Sequence, residues 1–270
     1  MSSPAAAGQS ERGVTFTTAL GHPRLHLRRT DSTNERLRAL ATAGAPHGTL
    51  MSAAEQTAGR GRQGRRWSAP AGSALLMSLL LRQPPALLPL VAAVAVCDAV
   101  EQVKPESRTT IKWPNDVVLE RMPVAPAVAP PLAKLAGILV EGRPQEQWAV
   151  LGIGVNVAVR VEELPEELRE RAASLEMPRE AVETLLARLL AALERWLGES
   201  PPGVLDAWRA RDALCGREVS WSGGSGRAMG VDDGGRLVVE LGDGARTALE
   251  AGEVHLGVGA TARPNGPPDC

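Results

Sequence analysis

The chain has 270 residues, 44% hydrophobic and 23% charged, with a formal net charge of −1. That balance is ordinary for a globular protein and leaves no global positive field to recruit nucleic acid, so any anion site has to be local. The length suits a main domain with a smaller appendix, and the three scattered cysteines, Cys97, Cys215 and Cys270, argue for a reducing compartment and against disulfides or zinc.

Residues 1–22 read as a mobile tail, without the basic start or apolar centre of a signal peptide. They leave no room for a helix-turn-helix module, so no nucleic-acid partner is expected. The longest apolar run, 86–97, falls short of the roughly 20 residues that cross a bilayer, which points to a cytoplasmic protein with no membrane partner. His22 and His26 have no third ligand beside them, so no metal site is expected there.

Alternation over 24–29 predicts a strand. Thr30-Asp-Ser-Thr-Asn-Glu then leads into a helix carrying Leu37 and Leu40. An N-cap needs one such polar residue. Ser32, Thr33 and Asn34 together offer further donors and acceptors to a small polar ligand at the helix mouth.

After a strand near 49–54 comes E-Q-T-A-G-R-G-R-Q-G-R-R-W at 55–67. Gly59, Gly61 and Gly64 free the backbone to approach a ligand. Arg60, Arg62, Arg65 and Arg66 supply planar donor forks for carboxylate or phosphate. Trp67 adds a flat face for a heterocycle. The glycines fit G-x-G-x-x-G, but Pro70 and Gly72 follow instead of a helix, and no acid occurs between Gly64 and Asp98, so a dinucleotide fold is excluded.

Residues 73–82 predict a buried strand, and 87–104 a buried helix with Pro89 in its first turn. A strand, a tight Trp-Pro-Asn-Asp turn and a second strand follow over 109–119, crowding Lys112, Asn115 and Asp116. Residues 121–131 are Pro- and Ala-rich and predict an extended loop. Two buried strands come next: one opens with Lys134, one of only three lysines, and the other holds the amide Asn156 in an apolar run. Beyond Glu162 the chain predicts helices, with a 3.6-residue stripe from Val182 to Trp196 and another helix after Pro202. From Arg217 short alternating runs between Gly-rich turns predict a small all-β module.

Five stretches in order resemble biotin–protein ligases: D-S-T-N at 31–34, the loop at 55–67, K-W-P-N-D at 112–116, K-L-A-G-I-L-V-E at 134–141 and G-I-G-V-N at 152–156. The resemblance implies an α+β fold: a mixed-sheet catalytic domain of the class II synthetase and lipoate-ligase type over 23–212, then an SH3-like barrel over 213–258, with tails at 1–22 and 259–270. It implies activation of biotin with MgATP to biotinyl-5′-AMP and transfer to a lysine of a biotin carboxyl carrier protein, by a monomer or homodimer. By position, Ser32, Thr33, Asn34, Gln56, Arg60, Gly61, Arg62 and Lys134 resemble biotin-holding residues. Gly59, Arg65, Trp67, Asn115 and Asn156 resemble nucleotide-side residues. Lys134, Arg62, Arg65 and Lys112 could neutralise the two anionic reactants, and Asp116 could orient the acceptor amine. The rivals are a lipoate or octanoate ligase, which shares the chemistry, and a non-catalytic biotin sensor.

Overall fold

The computed structural model describes residues 20–120, 132–250 and 254–256. The Pro-rich stretch 121–131 and nearly all of both expected tails lie outside them. Leu20 is buried in the core, and the Gly21 N–H donates to the Gly48 carbonyl at 2.8 Å. The packed chain therefore includes residues that the sequence assigned to the tail.

A seven-stranded sheet forms the larger unit, in the order β1-β2-β3-β7-β6-β5-β4. Its strands are β1 (Arg24–Leu27), β2 (Leu50–Ala53), β3 (Ala74–Arg82), β4 (Thr109–Lys112), β5 (Asp116–Glu120), β6 (Leu132–Arg143) and β7 (Trp148–Asn156). β1 and β2 run parallel and every other neighbour is antiparallel, so the sheet is mixed as expected.

One face packs on α2 (Leu88–Val103) and α4 (Ala181–Leu197). α2 is buried on almost every side, which suits its Ala- and Val-rich sequence. α4 buries Leu185, Leu186, Leu189 and Leu193, the stripe its periodicity predicted. α1 (Thr33–Thr42) covers part of the other face with Leu37 and Ala41, against Met51, Leu80, Trp148 and Val150. Leu37 is fully buried, so Leu37→Ala would cost about 2–5 kcal/mol.

Between β7 and α4 the helix expected after Glu162 is reduced to a 3-10 turn at Val161–Glu163 and one turn, α3 (Glu166–Arg169). The following residues run extended along β6, where the Lys134 N–H donates to Arg171 O and Ala173 N–H to Lys134 O. α5 (Pro201–Arg209) starts one residue before Pro202, capped by Ser200, whose Oγ accepts from the Gly203 N–H.

The C-terminal strands are β8 (Glu218–Trp221), β9 (Gly224–Val231), β10 (Leu237–Glu240), β11 (Arg246–Leu249) and β12 (His255–Leu256). They form a separate antiparallel sheet, ordered β11-β10-β9-β8-β12. The described residues give an open sheet with β11 and β12 at its edges. Cys97 is a free, buried thiol. No helix among the described residues is long and apolar enough to cross a membrane.

Candidate functional site

The face of the large sheet that carries α1 has a bare region. β7 alternates, placing Leu151, Ile153 and Val155 in the main core, so Gly152, Gly154 and Asn156 face the other way. A Cβ on Gly154 would stand 2.6 Å from Trp67 Cε2, and one on Gly152 would stand 2.2 Å from Asn34 Oδ1. The missing side chains let Trp67 and Asn34 lie directly on the sheet. Gly137 on β6 completes this floor, with Trp67 Cζ3 3.0 Å from where its Cβ would be. A cavity of about 350 Å³ opens above it.

Lys134 and Gly137 both face this cavity, although three residues along a regular strand should put them on opposite faces. The pairing with β5 resolves this. Asp116 pairs with Gly137 and Val117 with Ala136, but Val118 pairs with Lys134. Leu135 is the extra residue of a β-bulge, and Leu135 and Ala136 both enter the core. The bulge turns Lys134 towards the site. Its Nζ lies 2.7 Å from Asp116 Oδ1 and 5.7 Å from the centroid of the Trp67 ring.

The expected Trp-Pro-Asn-Asp turn joins β4 to β5 and sets Lys112 opposite Asp116. Asn115 is clamped to β6: its Nδ2 donates to Ile138 O at 2.7 Å, and its carbonyl accepts from the Ile138 N–H. Asn115 Oδ1 is then left to accept from Arg62 Nη1, which ties the turn to the glycine-rich loop.

That loop is a tight hairpin. Gly61 N–H donates to Arg65 O at 2.7 Å, and Trp67 N–H donates to Gly59 O at 3.0 Å. Its tip needs two left-handed residues, Gln63 (φ 54°) and Gly64 (φ 74°). Gly59 does not line the cavity, although the sequence placed it on the nucleotide side. A Cβ there would stand 2.3 Å from the Trp67 carbonyl, so this glycine lets the hairpin close.

At the mouth of α1, Ser32 occupies the N-cap position without making a side-chain cap. Its hydroxyl is therefore not spent on the helix. The Thr33 N–H and hydroxyl both donate to Gln56 Oε1, at 2.7 and 3.0 Å. That fixes the orientation of the Gln56 amide and leaves its NH2 as a donor beside Gly59. Asn34 is used differently from the expectation of a ligand contact alone. Its Oδ1 accepts from Ser78 Oγ at 2.6 Å and its Nδ2 donates to Glu141 Oε2 at 2.9 Å. Asn156 is likewise committed, donating to Ala173 O at 2.8 Å. Asp31 caps its own turn. The Ser32 N–H, then the Thr30 hydroxyl and Arg36, hold its carboxyl below the usual range.

Apart from Gly59, the expected residues all line the cavity: Ser32, Thr33, Asn34, Gln56, Arg60, Gly61, Arg62, Arg65, Trp67, Lys112, Asn115, Asp116, Lys134 and Asn156. Arg66 and Arg171 add two more cations, and Asp116 is the lining's carboxylate. A chain with a net charge of −1 has thus gathered positive charge in one concave place. Leu76, Leu164 and Ala172 supply an apolar side. Sequence reading gave no role to Ser78, Glu141 or Arg171. Two signals were available: a serine inside the apolar run 74–81, since a buried hydroxyl needs a partner, and the glutamate that closes the stretch 134–141. The C-terminal sheet reaches the site too: Val254 lines it, and Trp113 Nε1 donates to Gly235 O at 3.0 Å.

Comparison with known proteins fits this geometry. Residues 26–157 match the biotin/lipoate A/B protein ligase family. A biotin–[acetyl-CoA-carboxylase] ligase of Mycobacterium tuberculosis is 36% identical over 249 residues, covering 84% of this chain and 86% of that protein. The bifunctional ligase/repressor BirA of Bacillus subtilis is 32% identical over 245 residues, covering 84% and 71% respectively. Among solved structures, the biotin protein ligase of Aquifex aeolicus in complex with biotin and ATP superposes with a TM-score of 0.69 at 29% identity. It covers 86% of this chain and 97% of that one.

Proposed function

The chain belongs to the biotin–protein ligase family, and from that premise we propose that it activates biotin with MgATP and transfers it to a lysine of a biotin carboxyl carrier domain. The observation that carries the reading is the junction of Lys134, Asp116 and Trp67 on a glycine floor, between a polar helix mouth and an arginine-rich hairpin.

In the first step a biotin carboxylate oxygen attacks the α-phosphorus of ATP. The new P–O bond forms as the bond to pyrophosphate breaks, giving biotinyl-5′-AMP. Two anions must approach, so the site needs fixed positive charge where negative charge accumulates. Lys134 is placed for that position, with Arg62, Arg65 and Lys112 around it. Trp67 supplies the stacking face for adenine. Ser32, Thr33, Gln56 and the Arg60–Gly61–Arg62 segment hold biotin, whose apolar chain lies along Leu76 and the glycine floor. Asn34 on the biotin side and Asn156 on the nucleotide side also line the cavity, each held in place by its own side-chain bonds. Magnesium enters as part of the MgATP substrate.

In the second step the carrier's lysine amine attacks the acyl carbon of the mixed anhydride. The C–N bond forms, AMP leaves, and Asp116 receives the amine's proton or orients it. The hairpin at 59–67 shields the hydrolysable adenylate from water. We also assign the catalytic domain to residues up to 212 and read the C-terminal sheet as an SH3-like barrel module.

Pyrophosphate exchange into ATP tests the reading. Exchange should require biotin and fail with lipoate or octanoate. Exchange driven by lipoate, or none with any acid, would refute it.

A further inference from the structure

Glu141 on β6 is a half-buried carboxylate to which neither the sequence nor the mechanism above gives a task. Its two oxygens are divided between two parts of the site. Oε2 accepts from Asn34 Nδ2 at 2.9 Å. Oε1 faces Arg38 Nη1 at 3.5 Å and Arg60 Nη2 at 3.6 Å. Arg60 and Arg38 are both also bonded to Glu35. Two carboxylates and two guanidiniums thus join α1, β6 and the glycine-rich hairpin in one square.

We infer that Glu141 is a positioning residue for the biotin half of the site, with Glu35 as its partner in a latch on Arg60. This rests on the proposed biotin-activating function and adds a role that function does not itself require. Asn34 sits over Gly152 with no slack, and Ser78 takes its Oδ1, so Glu141 decides where its NH2 points. Arg60 stands near the start of the hairpin, with Arg62 and Trp67 beyond it. The hairpin is closed on itself by its own backbone bonds and moves as a unit, so an anchor at its base sets how often it covers the cavity. Neutral side chains could hold Asn34, but only a charged carboxylate forms an ion pair with Arg60.

The test separates the two bonds. Glu141→Gln keeps an acceptor for Asn34 and removes the charge facing Arg60. Glu35→Gln, at a half-exposed position, weakens only the Arg60 side. Both variants should be nicked faster by trypsin within the hairpin, at Arg60 to Arg66, with the sites mapped by mass spectrometry. Glu141→Gln should raise the biotin KM roughly threefold to fivefold, the scale of one half-exposed ion pair, with kcat nearly unchanged and ATP KM less affected. Glu35→Gln should follow in the same direction with a smaller shift. Unchanged nicking and biotin KM in Glu141→Gln would overturn the inference. So would equal losses for biotin and ATP together with a lowered melting temperature, which mark a purely structural residue. Absence of biotin-dependent exchange in the wild-type protein would instead sink the underlying function.

Discussion

Lys134 reaches Asp116 across neighbouring strands only because Leu135 is bulged out of the β5–β6 ladder. The bulge gives Lys134 and Gly137 the same face, so the cation stands over the surface on which Trp67 lies. Asp116 fixes the ammonium at the cavity wall, and its carboxylate is the negative counterweight in a basic lining.

Lys134→Ala should therefore slow adenylation by about 3 kcal/mol, on the scale of removing one preorganised donor from a transition state. Lys134→Arg should restore charge but little rate, since a planar fork does not fit the gap between Asp116 and Trp67. Transfer from pre-formed biotinyl-AMP should suffer less. Single-turnover kinetics of each half-reaction, in a variant with wild-type circular dichroism, decides this; near-normal adenylation would remove Lys134 from the mechanism.

Trp67→Ala should weaken ATP by roughly 1–3 kcal/mol and biotin by less, as expected for loss of a stacking platform. Gly154→Val reaches the same end from beneath, because its side chain would occupy the place of the Trp67 indole. Calorimetric titration with each ligand compares them. Equal losses for biotin and ATP would mean that the hairpin as a whole, and not the ring, had been disturbed.

Trp113→Phe should lower stability by about 1 kcal/mol through loss of the bond to Gly235 O. Because that bond joins the K-W-P-N-D turn to the C-terminal sheet, the variant should also raise the ATP KM more than the biotin KM. Thermal melts and steady-state kinetics together check it; an unchanged ATP KM would show the contact to be structural only.

The fourth expectation concerns alkaline pH. Burial pushes the Cys97 thiol up from 9.0 to about 12, with a hydrogen bond to Thr109 opposing. The native thiol stays protonated while the unfolded one ionises, so its contribution to stability is complete below pH 9.0 and fades as pH rises towards about 12. Cys97→Ala should flatten the stability profile in that window, measured by urea denaturation at stepped pH. An unchanged slope would locate alkaline sensitivity elsewhere.

Much of the site could be read from the chain because its chemistry needs unusual residues in short runs. Four arginines among three glycines, or a lysine opening an apolar strand, stand out without a structure. The strands and helices of the large sheet were equally legible from periodicity. What stayed hidden came from three-dimensional pairing. Ser78 and Glu141 are ordinary residues in ordinary strands until Asn34 is laid between them. The bulge at Leu135 has no composition of its own. Arg171 enters the cavity because the chain after α3 runs extended along β6, where the Glu-rich sequence suggested a helix. Gly59, read as a ligand contact, serves the closure of its own hairpin.

The bare floor has a consequence for how the protein can change. Gly137, Gly152 and Gly154 sit in the interiors of paired strands, where each glycine costs the fold roughly 0.5–1 kcal/mol relative to alanine. The sheet is weakest at the place where it works. Substitution by a β-branched residue there should yield a chain that melts higher and binds nothing if Trp67 and Asn34 can swing aside. Selection for thermal robustness alone would thus drive this scaffold towards silence, and any stabilised version must gain its robustness in α2, α4 or the C-terminal sheet.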